Sequence, residues 1–432
     1  MDTLTELRWL IRATGSLWWR RLPVLGMWFC LGWVGRELTT QIAVLLGANL
    51  VAATLFLVAG MLIWVVGIVF MVHGVADEVS ALRPTGASPV AEPLSRKRVL
   101  LDAVLPFLAV YAVWGLTEEH VQRAFNANIA FHGVDVANFS ITFAAWQLYL
   151  AIAVVAWIAQ AILTPILSGR GGLGAATLMT FLRGTSILTA FMGVSQLLVR
   201  LLNWSMGRQF WYWGAEAWHR FIELLPDWQL PWQLSLPETV RAAASTLWTT
   251  LAPGLLEAVA LPLVWLALIA MVFGWSDLGA TLTPGRLATR AGALQERIGR
   301  TRLASRLTEA ERLSPAGAAR AWFANQIDDL RPAVQALRLV MRSGWWFLAA
   351  YLVLGAFIRA LDLWLRQGVM WLVGSRPFAE TMRYLPVVEL GAEFVSWTLA
   401  VALYVVAFDR ALLRARSLVS PPDAPQTHHV AG

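Results

Sequence analysis

The chain has 432 residues, 58% of them hydrophobic and 14% charged, with a formal net charge of +7 and a mean hydropathy of +0.60. That is too apolar and too poor in charge for a soluble globular protein. The basic balance does not indicate nucleic acid, because the arginines sit between apolar runs, where membrane topology accounts for them. Cys30 is the only cysteine, which excludes an intrachain disulfide and a cysteine metal cluster. The predicted fold class is all-α: a polytopic helical membrane protein of about eight transmembrane helices. It also has an N-terminal interfacial amphipathic helix and an Arg-rich cytoplasmic helical loop. No metal and no cofactor are expected.

Residues 1–21 are not apolar enough to span. Leu4, Leu7, Leu10, Ile11, Leu17 and Trp18 recur at helical spacing against Arg8, Arg12, Arg20 and Arg21. This pattern predicts an amphipathic helix lying in the cytoplasmic interface. Residues 22–275 follow as a membrane domain with spans one to six. The first hairpin is expected over Leu22 to about Thr40 and Ile42 to Val72, with a turn near Gly35, Arg36 and Glu37. The basic segment Asp77 to Arg98 returns the chain to the cytoplasm, which requires two crossings before it.

Val99 to Leu116 is the third span, Thr117 to Asn138 a polar outer loop, and Ile141 to Leu167 the fourth span. The Gly-rich stretch after Ser168 follows a membrane helix rather than a strand, so it is a turn and not a dinucleotide fingerprint. Ile187 to Leu202 is the fifth span. The outer segment 203–245 is dense in aromatics, among them Trp204, Trp211, Trp213 and Trp218. Trp and Tyr favour the headgroup zone, so one or two helices on the outer leaflet are predicted, with a stacking platform for a sugar or lipid headgroup as the sharper alternative. Leu251 to Trp275 is the sixth span.

Residues 276–342 fix the orientation. They carry eleven arginines against Asp277, Glu296, Glu309, Glu311, Asp328 and Asp329, and they join two apolar runs. Such a connection belongs in the cytoplasm, because basic residues resist translocation. Phe323, Ile327, Leu330, Val334, Leu337 and Met341 alternate spacings of four and three, a stripe that packs on the membrane surface or docks a protein partner. Residues 343–408 hold spans seven (Trp345 to Leu365) and eight (Val387 to Phe408), and 409–432 form a disordered cytoplasmic tail. The expected location is the bacterial cytoplasmic membrane, multi-pass, with both termini inside.

Ionisable groups within spans are costly and therefore candidate sites. Arg200, Glu257, Arg359, Asp362 and Glu393, with Glu389 nearer the edge, are expected in the outer half of the bilayer on spans five to eight. Arg359 and Asp362 are three apart and Glu389 and Glu393 four apart, so each pair shares a helix face. Arg200 and Asn203 before Trp204 also echo Arg359 and Asp362 before Trp364, a faint hint of a duplicated hairpin.

Two functions follow as expectations. A permease-like transporter fits the even span count and the charged layer. A scaffold subunit of a larger membrane complex, docking through residues 276–342, is the alternative. An enzyme fits less well: no nucleophile elbow, phosphate-binding loop or zinc helix motif is present, and the histidines lack metal-ligand spacing.

Overall fold

The computed structural model describes residues 3–46, 49–79, 116–132, 146–167, 173–226, 228, 235–272, 344–374 and 377–419. Every regular element among them is a helix, with no strand. In chain order these are α1 (Thr3–Leu45), α2 (Leu50–Gly74), α3 (Leu116–His132), α4 (Trp146–Leu167) and α5 (Leu173–Met206). Then come α6 (Gln209–Glu223), α7 (Leu236–Thr246), α8 (Ala252–Val272), α9 (Trp345–Val373) and α10 (Phe378–Val419). Five of them, α2, α4, α5, α9 and α10, hold stretches long and apolar enough to cross a membrane. The third predicted span, the stripe Phe323 to Met341 and residues 420–432 lie outside the described residues, while 409–419 of the predicted disordered tail are the helical end of α10, with Ala411 and Leu412 buried.

The first hairpin differs from expectation. The chain does not break at Gly35 to Glu37, nor at residue 21: α1 is one helix of 43 residues that runs through Pro23. Proline inside a helix is tolerated where neighbouring helices support the freed backbone. α1 ends instead at Leu45 and α2 begins at Leu50, where the Asn49 side chain accepts the Ala52 N–H and caps the helix. The expected interfacial segment is thus the first half of α1. Its Leu10 and Leu17 are buried in the main core, and Trp18 donates to Thr398 of α10 at 2.9 Å.

Glycines set how closely the hairpin packs. Gly60, Gly67 and Gly74 recur every seventh residue along α2, on the side facing α1. A Cβ at Gly60 would lie 2.5 Å from Thr39 Oγ1, one at Gly67 3.0 Å from the Gly32 Cα, and one at Gly74 2.7 Å from Val24 Cγ1. Small residues at these steps let two backbones approach without a hydrophobic driving force from lipid.

α10 is the axis of the rest, packing against α1, α9 and α8. Its segment Ala400 to Phe408 is buried at every position. Trp64 of α2, Trp397 and Tyr404 of α10, and Trp265 of α8 form a continuous aromatic chain. The Trp64–Trp397 and Trp265–Trp397 rings meet edge-on at 5.5 and 5.4 Å, and Trp265 stacks on Tyr404 at 6.0 Å. Tyr351 of α9 donates its hydroxyl to the Pro262 carbonyl of α8 at 2.6 Å, tying the two helices inside the core. The α4–α5 hairpin stands to one side, with most of the apolar face of α4 uncovered. The aromatic segment forms the end of α5, which holds Trp204, and then α6 and α7, and Trp204, Trp211, Trp213 and Trp218 are all exposed. Ser235 and Glu238 close a reciprocal capping box at the start of α7.

Candidate functional site

Charge within this apolar bundle is concentrated at two levels of α10. Near its C-terminal end the buried Glu6 of α1 accepts from Arg414 and lies 3.7 Å from Arg410. Further along α1, Arg21 donates to Glu78 at 2.8 Å. In the first half of α10 lies a larger network centred on Glu393. From Glu393 to Arg414 the helix rises about 31 Å, close to the thickness of a hydrocarbon core.

Glu393 is 1% exposed, and its carboxylate meets three guanidinium groups. Arg36 of α1 donates to Oε2 at 2.8 Å. Arg123 of α3 and Arg366 of α9 both donate to Oε1, the latter at 3.2 Å. Arg123 also reaches Glu389 at 3.0 Å and Glu119 at 2.9 Å. Arg366 reaches Asp362 at 2.9 Å and lies 3.7 Å from Glu389. Ser396, one turn after Glu393, donates to Asp362 Oδ1 at 3.1 Å. Arg36 also lies over the Trp64 ring, 4.3 Å from its centroid. A carboxylate buried at this depth is tolerable only with such compensation.

His120 of α3 abuts this layer. It is 1% exposed, and among the described residues neither ring nitrogen has a hydrogen-bond partner. Burial first, then the Arg36 and Arg123 charges, hold the imidazole well below its ordinary pKa, so it is neutral.

A cavity of about 500 Å³ opens beside the network, between α8, α9 and α10. One end is polar: Arg359, Asp362 and Arg366 of α9, Ser396 of α10 and Glu119 of α3. The other is apolar and aromatic, with Leu261, Trp265, Trp397 and Tyr404. Leu363, 65% exposed, forms an apolar lip.

Of the residues expected in a charge layer, Asp362, Glu389 and Glu393 share one ion-pair network, and Arg359 lines the cavity beside them. Arg200 is exposed on α5 and belongs neither to the network nor to the cavity wall. Of the two hairpins in that echo, the second supplies the acids of the network from α9 and α10, while the first reaches the cavity only through α8. Glu257 lies on α8, whose Gly254 and Ala258 line the cavity, and its side chain is outside the described residues. The cations that neutralise the acids, Arg36, Arg123 and Arg366, were not anticipated. Arg36 is a charge within an apolar run, a signal of burial, whereas the expected turn near Gly35 to Glu37 puts it at a break. Among the described residues no cluster of three or more His, Cys, Asp or Glu forms a metal-binding group.

The class defined so far is an all-helical chain with five helices able to cross a membrane and a buried ion-pair layer beside an amphipathic cavity. No family model, curated protein or solved structure matches it.

Proposed function

We propose that this chain is an integral membrane protein of permease or transporter kind that binds a small ligand in the cavity between α8, α9 and α10. It would cross a bacterial cytoplasmic membrane eight times with both termini inside. α1, the run Val99 to Leu116 and α8 supply the crossings beyond the five apolar helices. The Glu393 end of α10 then faces outward and the Glu6–Arg414 end faces the cytoplasm, in accord with the arginines of residues 276–342.

One observation carries this: a neutralised charge layer forms the wall of a cavity rather than closing on itself. An ion-pair network that served only to join helices would have no need of an adjoining space of ligand size, which is about 300–1,000 Å³ in known sites. The acids are engaged by guanidinium groups, an arrangement suited to recognising charge rather than to moving protons, so we assign no catalytic role. The alternative is a scaffold that docks a protein partner through residues 276–342, for which the Phe323 to Met341 stripe is the motive.

Native mass spectrometry of the protein extracted with its own lipids separates the two. A bound lipid or solute without a protein partner is expected. A stoichiometric protein partner, lost on deletion of residues 323–341, would replace the transporter with the scaffold.

A further inference from the structure

We propose that the cavity between α8, α9 and α10 takes a zwitterionic amphiphile, with its headgroup at Arg359 and Asp362 and its apolar chain against Trp265 and Trp397. This rests on the ligand-site reading above and names the class of ligand.

The lining is divided by chemistry. At the polar end the described side chains of the walls are two cations, Arg359 and Arg366, and two anions, Asp362 and Glu119. Behind them the network balances again, with Arg36 and Arg123 against Glu389 and Glu393. Beside the buried Arg36–Glu393 pair, a ligand with net charge would leave an unmatched charge, which is costly. A headgroup with one anionic and one cationic group adds none. Its phosphate would meet guanidinium groups, whose planar donor forks match phosphate oxygens. Its ammonium would meet the carboxylates.

The opposite end is mainly aromatic, with the Arg359 charge reaching as far as Tyr404. Trp265, Trp397 and Tyr404 make a wall that suits an alkyl chain. The exposed Leu363 lip continues this apolar surface to the mouth of the cavity, so an amphiphile of the outer leaflet can enter there, chain first, from the water interface. A free polar solute would gain nothing from that half of the cavity. The aromatic half therefore selects a chain, and the balanced half selects a zwitterion.

The test uses the full-length protein in a non-ionic maltoside micelle. Three single-chain probes of equal chain length are added at equal concentration: lysophosphatidylethanolamine, lysophosphatidylglycerol and a monoacylglycerol. Native mass spectrometry reads the retained equivalents. One equivalent of the zwitterion is expected, held about tenfold more tightly than the anionic or neutral probe. Arg359→Gln should abolish that preference and Arg359→Lys retain part of it. Ala360→Trp, which narrows the lip, should exclude all three from protein that still elutes as a monodisperse species. Equal retention of the probes, preference for the anionic one, or a preference unchanged by Arg359→Gln would overturn the proposal. A copurified non-lipid solute with no probe retained would overturn the ligand class and leave the ligand site standing. A cavity that takes neither probes nor any copurified molecule would overturn both.

Discussion

Arg36 of α1 and Glu393 of α10 lie 357 positions apart in the chain and meet in a salt bridge of 2.8 Å with both side chains almost wholly buried. The two residues are not equivalent. Removing Arg36 leaves the Glu393 carboxylate with Arg123 and Arg366, whereas removing the Glu393 charge deprives three guanidinium groups of their shared partner. Glu393→Gln is therefore expected to cost about 3–5 kcal/mol, the range for breaking a buried pair. Arg36→Met should cost less, although it also removes the cation over Trp64. Thermal unfolding in detergent gives the order. Arg36→Met as the more damaging change would contradict the central place given to Glu393.

The α1–α2 seam makes a prediction of opposite signs for one kind of substitution. At Gly67 a new methyl meets the Gly32 Cα at 3.0 Å and the Trp28 carbonyl at 3.2 Å, backbone atoms that cannot swing away. Gly67→Ala should destabilise by roughly 1–3 kcal/mol through overpacking. Gly214, mid-helix in α6, has nothing within 4 Å of its would-be Cβ. Gly214→Ala should stabilise its helix by about 0.5–1 kcal/mol. Apparent melting temperatures of the two variants, measured side by side, test the seam.

His120 sets a pH dependence. It is held neutral in the fold by burial and by the Arg36 and Arg123 charges, while in the unfolded chain it protonates near its ordinary value of 6.5. Below that pH the unfolded state binds the extra proton, so the fold loses stability as pH falls. The loss is about 1.4 kcal/mol per pH unit at most, until the depressed folded value is reached. Above pH 6.5 the contribution is constant. Between about pH 5 and 6.5 the carboxylates are not yet protonating in the unfolded chain. In that window His120→Gln should give a flatter stability curve, and parallel curves for the two proteins would contradict the buried neutral imidazole.

Glu6 and Arg414 tie the first helix to the last at the end opposite Glu393. If residues 3–21 lay alone on a membrane surface, Glu6→Ala would be nearly silent. In this fold Glu6 is buried with two arginines against it, Arg410 and Arg414. Glu6→Ala should therefore cost several kcal/mol, in the range for stranding buried charge, and speed proteolysis of the N-terminal segment. Limited proteolysis against the unaltered protein reads this directly.

Much of the fold was legible in sequence because apolar runs of membrane length leave little freedom of interpretation. Asp362, Glu389 and Glu393 were legible for the same reason: a carboxylate in such a run must find a partner. Which partner was not legible. Arg123 belongs to a polar stretch that composition assigns to an outer loop, and only tertiary packing lays α3 against α1 and α2. Arg36 and Glu37 are adjacent charges, which read equally as a break or as a buried polar step. Arg366 stands one position beyond the expected end of its span, since α9 continues to Val373. Arg200 matched Arg359 in local pattern, yet spacing along one helix cannot say which face meets a neighbour.

The claim on which the account depends is that the cavity beside Glu393 is open to the outer side of the membrane. Ser396 lines the cavity and Leu363 its lip, so each becomes a reporter as Ser396→Cys or Leu363→Cys in a Cys30→Ser background. The measurement is modification by a membrane-impermeant maleimide applied to sealed cells, compared with inverted vesicles. The account predicts labelling of Leu363→Cys and, more slowly, of Ser396→Cys from the outside, with neither reached from the cytoplasmic face. Complete protection from the external reagent, or labelling from the cytoplasmic face alone, would contradict it.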